Sequence, residues 1–151
     1  MLNRDFDCLT VNGVCDLAEK NIIAGSPLTL GANGYKLAKA GDPFVGLSFN
    51  YYHIGKNDVT GGEWFADSGK VGVVKIAQCT LEADEIDGEK VYPFVETDAF
   101  EIGDKLFVSA DGKLTKVAPA LDNYAEAEAV ATVVYFDATK GLLKVFVNAQ
   151  N

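Results

Sequence analysis

The sequence has little of the material from which catalytic and metal sites are built. Its 151 residues include one histidine, His53, and three cysteines, Cys8, Cys15 and Cys79. No Cys-x-x-Cys or His-Glu-x-x-His pattern occurs, so zinc has no obvious set of ligands. A histidine-activated nucleophile has only one candidate base, and no serine stands in a Gly-x-Ser-x-Gly elbow. We therefore expect no catalytic residues, no cofactor and no metal.

Carboxylates are the exception to this scarcity, with 22 Asp and Glu residues against 13 Lys and Arg. The densest acidic stretch, residues 82–89, fails as an EF-hand loop. With Gly88 in the sixth position, the first and twelfth ligands would be Ala83 and Phe94. A solvated acidic hairpin is the better interpretation. Composition leaves a paired-carboxylate hydrolase open, but nothing in the spacing of the carboxylates favours one.

The shortage of positive charge also restricts the partners. The formal net charge is −9 and the sequence pI is about 4.5. Such a chain repels phosphate backbones, so we expect no direct nucleic-acid partner. Residues 1–7 carry charges where a secretory signal needs an apolar run, and no apolar stretch is long enough to cross a bilayer. Three cysteines without paired spacing are a poor disulfide framework, which favours synthesis in a reducing cytoplasm.

What the chain does contain is a succession of short β-strand patterns. A hydrophobic content of 48% with 11% aromatic residues excludes a wholly disordered chain. Alternating apolar residues bounded by Gly, Asn-Gly and Asp-Gly predict nine or ten strands after residue 21. Residues 125–131 could be helical because of their Ala and Glu content, but the β-branched residues that follow favour a strand. We predict a mainly β fold for residues 21–151, a compact barrel of short antiparallel strands with little helix. The principal strand predictions are residues 22–23, 27–30, 35–37, 44–52, 69–79, 91–95, 105–109, 113–117, 129–136 and 142–147.

Two ten-residue segments, 78 positions apart, resemble each other. Residues 25–34 and 103–112 each begin with glycine, continue as an alternating strand and end at Asn33-Gly34 or Asp111-Gly112. These dipeptides tolerate the positive φ angles of tight turns, so both segments predict hairpins. A match of ten residues leaves open whether it reflects a duplication or a chance similarity between two hairpins.

Residues 1–20 differ from the rest of the chain because their apolar residues keep neither a strand period nor a helix period. Asn12-Gly13 adds a turn signal within them. One interpretation is a first strand followed by a short helical turn. The other is an extended N-terminal arm that becomes ordered against a partner by adding a strand to its sheet edge. The candidate docking residues of this arm are Leu2, Arg4, Phe6, Leu9 and Val11.

The single tryptophan, Trp64, follows a polar, glycine-rich loop at residues 55–62. It is either a core residue or an interface residue, since tryptophan offers a large contact area at low entropy cost. With Tyr51 and Tyr52 it would form a stacking platform in a carbohydrate-binding barrel. That arrangement is an alternative function for this chain.

The order of several segments resembles a known family. These segments are Gly41–Gly46, Gly69–Val74, Ile102–Val108 and Val145–Val147, with Ala129–Val134 as a short Ala/Val strand before the last one. Their order and spacing resemble the capsid cement proteins of tailed phages, the lambda-like head decoration proteins with a β-tulip fold. The resemblance covers residues 22–147. Phe44-Val45 and Leu106-Phe107 depart from the smaller residues of the family pattern, and residues 55–68 look like an addition.

The resemblance implies a non-catalytic virion protein that binds the outer surface of the expanded head and bridges neighbouring major capsid protein subunits. It would stabilise the shell against internal DNA pressure after synthesis in the host cytoplasm. It also implies a homo-oligomer, with a trimer favoured and a dimer as the alternative. Another phage head or tail β-domain, and the carbohydrate-binding barrel, remain as alternative interpretations.

Overall fold

The computed structural model describes residues 2–4, 9–16, 19, 21–49, 52–56, 63–65, 70–86 and 88–149. These residues form a mainly β fold, as predicted, whose main antiparallel sheet curls into a half-barrel. A single turn of 3-10 helix, Asp122–Tyr124, interrupts the strands in this part of the chain. The strands are β1 (Leu2–Arg4), β2 (Leu9–Val14), β3 (Asn21–Ile22), β4 (Pro27–Gly31), β5 (Gly34–Leu37), β6 (Gly46–Ser48), β7 (Tyr52–Lys56), β8 (Glu63–Phe65), β9 (Lys70–Leu81), β10 (Asp84–Ile86), β11 (Glu89–Val91), β12 (Lys105–Val108), β13 (Leu114–Thr115), β14 (Ala131–Asp137) and β15 (Leu142–Asn148).

The long strand β9 organises the main sheet. Its Cys79 pairs with Arg4 of β1 on one edge and with Val145 of β15 on the other. Val74, farther back along β9, pairs with Thr10 of β2 and Leu47 of β6. Four strands from distant parts of the sequence therefore meet along a single strand. Beyond them the sheet continues through β14, β12 and β13 on one branch and through β4 and β5 on the other.

A bulge in β9 divides its side chains between two cores. Leu9 pairs with Ile76 and Thr10 pairs with Val74, so Lys75 is an extra residue in β9. An extra residue reverses which face the following side chains occupy. Val73 accordingly belongs to one buried cluster, whereas Val74 and Ala77 both belong to the other. One strand thus serves both cores.

The larger core lies between the two branches of the sheet. Its buried residues come chiefly from β9, β12, β14 and β15. Phe94, Phe100 and Phe136 pack edge to face within it, with ring centroids 5.1 to 6.5 Å apart. Such geometry is the one that aromatic quadrupoles prefer. The smaller core contains Cys15, Ile22, Leu28, Val71 and Val73, with Tyr35 and Val45 packed against it.

The smaller core is enclosed by a closed ring of pairings. β2, β9, β6, β4 and β5 pair in turn, and Cys15 then bridges to Tyr35. The backbone N–H of Asp16 donates a hydrogen bond of 2.8 Å to the carbonyl of Tyr35. This closure depends on glycine, because a Cβ on Gly13 would overlap the Tyr35 ring and one on Gly34 would overlap the carbonyl of Val14. Five strands and this bridge thus surround the smaller core, within a main sheet that curls into a half-barrel.

The similarity between the two ten-residue segments extends into the structure. Gly25 and Gly103 both have a φ of +92°, and each precedes a strand, a hairpin and a third strand that pairs back on the first. Four backbone hydrogen bonds recur with the same geometry. In the first copy, N–H groups donate to carbonyls as follows: Ser26 to Ile23, Gly25 to Ser48, Ser48 to Ser26 and Val45 to Leu28. In the second copy the equivalent bonds, in the same order, are Asp104 to Glu101, Gly103 to Val133, Val133 to Asp104 and Val130 to Leu106.

We call residues 23–48 the first repeat and residues 101–133 the second repeat. Their first strands, β4 and β12, begin 78 positions apart, whereas the equivalent bonds at Val45 and Val130 lie 85 positions apart, because the second repeat has a longer connection. Each third strand then pairs with a long strand, β6 with β9 and β14 with β15. The similarity is therefore one of a whole three-stranded unit and not of two hairpins alone.

Several strand predictions differ from the structure in extent; of residues 91–95, for example, only Val91 lies in a strand. Residues 44–52 were expected to form one strand, but Gly46–Ser48 is a short strand and the next begins at Tyr52. The strand expected at residues 113–117 contains only Leu114–Thr115. Ala125 has an extended backbone, with φ −64° and ψ 138°, and β14 begins at Ala131, so the helical propensity of residues 125–131 is not realised. The acidic hairpin is confirmed as β10 and β11.

Candidate functional site

Four of the five predicted docking residues of the N-terminal arm lie in strands that pair within the chain. Leu2 and Arg4 pair with Leu81 and Cys79 of β9. In β2, Leu9 and Val11 pair with residues of the same strand, namely Ile76 and Val73. Phe6 lies outside the described residues. The described part of this segment therefore forms strands on a sheet edge of its own chain, whereas the arm was expected to add to the sheet of a partner; docking on a capsid stays a prediction.

The candidate aromatic platform falls on a small separate sheet. Trp64 lies in β8 and pairs with Gly55 of β7. Tyr52, also in β7, pairs with Ile22 of β3. Tyr51 lies outside the described residues. Tyr52 and Trp64 thus occupy neighbouring strands, and their roles in carbohydrate binding or at an interface stay predictions.

Two cysteine thiols and one carboxyl group in the described part of the chain are affected by burial. Cys15 and Cys79 are both fully buried. Burial, with a smaller contribution from the nearby Glu19 carboxylate, raises the pKa of Cys15 to about 11. Burial likewise raises the pKa of Glu19. A thiol with such a pKa is almost entirely protonated at neutral pH and therefore unreactive.

The described residues contain neither a metal-ion cluster nor a membrane-spanning helix. They contain no group of three or more His, Cys, Asp and Glu side chains arranged to hold a metal ion. Nor does any helix in that part of the chain have the length and hydrophobicity needed to span a membrane.

A groove of about 900 Å³ is lined by equivalent segments of the two repeats. In the first repeat the segment is Gly41–Phe44, which leads to β6, and in the second it is Ala125–Val130, which leads to β14. Phe107, Val108 and Leu121 add apolar surface to this lining. We refer to it below as the inter-repeat groove.

The inter-repeat groove has an acidic lining. Asp42, Glu126 and Glu128 line it, and no Lys or Arg is among the described residues that do so. Asp42 has a structural role as well, since its Oδ2 accepts the backbone N–H of Lys39 at 3.0 Å. Glu126 and Glu128 are exposed to solvent. Their charges are therefore available to a bound molecule.

The groove was not predicted from the sequence. Its two lining segments are 85 positions apart and correspond only when the longer connection of the second repeat is taken into account. Each has a local signal, Gly41-Asp42-Pro43-Phe44 in one case and the alternating Ala and Glu of residues 125–129 in the other. Neither signal contains information about the other segment.

Comparison with known proteins adds no family. No protein-family model matches this chain, and no curated protein sequence is significantly similar to it. The functional inference must therefore come from the fold, the surface and the segments themselves.

Proposed function

We propose that this protein is a non-catalytic structural protein of a tailed-phage virion. It binds the outer surface of the expanded head and bridges neighbouring major capsid protein subunits. The observation that supports this most is the arrangement of the segments that resemble cement proteins. They lie in or lead directly into β6, β9, β12, β14 and β15, which are successive hydrogen-bonded neighbours in the main sheet.

The character of the surface supports a structural role facing solvent. The net charge of −9 disfavours contact with packaged nucleic acid. Several apolar side chains of the main sheet are partly exposed, namely Ile76, Tyr135 and Phe146, at 40 to 45%. Modest contacts of this kind are sufficient on a lattice, because each additional contact forms at a high effective concentration. We propose a homo-oligomer, a trimer in preference to a dimer.

The direct test is co-sedimentation of the purified protein with undecorated, expanded phage heads over a salt series. We expect saturable binding at a fixed ratio to the major capsid protein. Heads that have not expanded provide the control, since the proposed site forms between subunits of the expanded shell. Failure of the folded protein to bind any expanded head would overturn the proposal, and glycan titration followed by Trp64 fluorescence would then be the next measurement.

The contribution of the N-terminal arm is tested by substitution and not by deletion. Removing residues 2–11 would strip β1 and half of β2 from an edge of β9 and so disturb the fold itself. Phe6→Ser changes a predicted docking residue outside the described part of β1 and β2. We expect weaker head binding with an unchanged unfolding midpoint. Unchanged head binding would remove Phe6 from the docking surface.

A further inference from the structure

The inter-repeat groove has the apolar lining that a protein segment needs. Phe44 packs against the larger core and also lines the groove, beside Val108 and Leu121. Binding pockets are typically apolar with a few polar groups that set orientation. At about 900 Å³, the groove is large enough for several residues of a partner and not merely for one side chain.

The backbone of the second repeat provides hydrogen-bonding groups beside this lining. The backbone N–H of Ala125 donates a hydrogen bond to the carbonyl of Asp122, and farther along the chain the N–H of Val130 donates to the carbonyl of Leu106. Residues 126–129, which lie between these two bonds, contain no turn or bend. Their backbone groups make no backbone hydrogen bond with any described residue. An extended peptide can pair with such a stretch by strand addition, which provides affinity from the main chain.

The charges identify the kind of segment that fits. Asp42, Glu126 and Glu128 present negative charge, with no basic residue among the described lining. A second copy of this chain, with its net charge of −9, is electrostatically disfavoured as the occupant. A segment carrying Lys or Arg is complementary, and charge complementarity of this kind determines partner choice and association rate.

We propose that the inter-repeat groove binds an extended, basic segment of the major capsid protein by strand addition to residues 126–129. This inference rests on the proposed function, and it assigns the part of the surface that makes the contact. The basic side chains of the segment pair with Glu126 and Glu128 while its apolar side chains contact Phe44 and Leu121. The longer connection of the second repeat supplies Leu121, Glu126 and Glu128.

The test compares two charge-matched double variants in the binding assay with expanded heads. Glu126→Lys with Glu128→Lys reverses the charge of the groove. Glu96→Lys with Glu101→Lys makes the same change in net charge at exposed positions outside it. We expect the groove variant to bind at least tenfold more weakly than wild type, and the control variant to bind within about threefold of it. Circular dichroism and the urea midpoint establish that each variant is folded.

A second pair of variants tests the shape of the groove without changing its charge. Ala127→Trp places a large side chain at a lining position, whereas Ala99→Trp places one at an exposed position elsewhere. We expect only Ala127→Trp to reduce binding, again by at least tenfold. Raising the salt concentration should weaken wild-type binding more than binding of the Glu126→Lys, Glu128→Lys variant. The variant has fewer favourable charge pairs with the partner, so salt has less attraction to screen.

The outcomes separate this inference from the proposed function. If wild-type protein does not bind expanded heads, the proposed function is overturned. If wild type binds and both groove variants bind as well as their controls, the function stands and the groove is not the docking site. Equal losses in the groove and control charge variants would indicate a non-specific effect of net charge and would also overturn the groove assignment.

Discussion

The two repeats share a hydrogen-bonded frame but differ in what surrounds it. In the first, Ala24 is 6% exposed and its N–H donates to Asp84 Oδ2 at 3.2 Å. In the second, the equivalent residue, Ile102, is 76% exposed. A Cβ on Gly25 would lie 2.8 Å from Leu81 Cδ2, whereas one on Gly103 would meet nothing within 4 Å. The same turn is therefore buried in one repeat and open in the other.

The connections between the second and third strands differ as well. β5 ends at Leu37 and β6 begins at Gly46, but β13 ends at Thr115 and β14 begins only at Ala131. The longer connection contains Asn123 and Tyr124, both at positive φ, and Tyr124 is fully exposed. Loops of this kind carry binding residues on a scaffold that keeps them in position. Within this chain, then, strand pairing is retained while turns and connections diverge.

The largest expected effect comes from truncating the equivalent core leucines of the two repeats. Leu28 and Leu106 are both fully buried, in the smaller and larger cores respectively. We expect Leu28→Ala and Leu106→Ala each to lower the free energy of unfolding by about 2–5 kcal/mol. Leu106→Ala should cost more, because the partly buried Tyr35 and Val45 can move toward the space left by Leu28. Urea denaturation with an unchanged m-value measures both, and a larger loss for Leu28→Ala would show that the smaller core is the more rigid.

The equivalent turn glycines give a sharper comparison. Gly25→Ala and Gly103→Ala impose the same positive φ on a residue with a Cβ, which costs about 1–2 kcal/mol. Only the Cβ at position 25 also meets Leu81 and Pro93. Crowding of that kind adds about 1–3 kcal/mol, so we expect Gly25→Ala to be the more destabilising variant by that amount. Thermal and urea unfolding measure the difference. If both variants lose the same free energy of unfolding, Leu81 and Pro93 can move away from the new Cβ without destabilising the fold.

A reciprocal exchange tests whether the first turn is closed. Ala24→Ile places the side chain of the second repeat in the first, where we expect a loss of about 1–3 kcal/mol from overpacking. Ile102→Ala makes the opposite change at an exposed position and should alter the free energy of unfolding by less than about 0.5 kcal/mol. Tolerance of Ala24→Ile would contradict the closed turn, and a large loss in Ile102→Ala would contradict the open one.

The smallest expected effect concerns Glu19, which lies beside the first repeat. Burial is the main cause of its raised pKa, and a hydrogen bond from the Leu37 backbone opposes the increase. An acid with a raised pKa in the folded state adds stability below its unfolded pKa, about 4.3, and this contribution is lost as the pH rises through the folded value. We expect Glu19→Gln to be more stable than wild type at pH 7, with the difference absent at pH 4. Urea midpoints at both pH values measure this, and a variant less stable at pH 7 would contradict it.

The sequence predicts local features of this fold better than its long-range pairing. The hairpin turns at Asn33-Gly34 and Asp111-Gly112 are confirmed, because a positive φ favours glycine whatever lies around it. The predicted strand at residues 44–52 is interrupted, since strand length depends on partners that periodicity does not reveal. The Lys75 bulge and the inter-repeat groove depend on residues far apart in sequence and were not predicted. The docking roles of Leu2 and Trp64 stay predictions.

The position of β9 has a consequence for the speed of folding. At Cys79 it pairs with Arg4 and Val145, which are 75 and 66 positions away along the chain. Closing loops of this length costs entropy before the contacts form, and topologies dominated by distant pairings fold in milliseconds to seconds. β15 also supplies hydrogen-bonding partners along one edge of β9 and contributes buried residues to the larger core. During synthesis, the centre of the sheet therefore cannot be completed until residues 142–148 have left the ribosome.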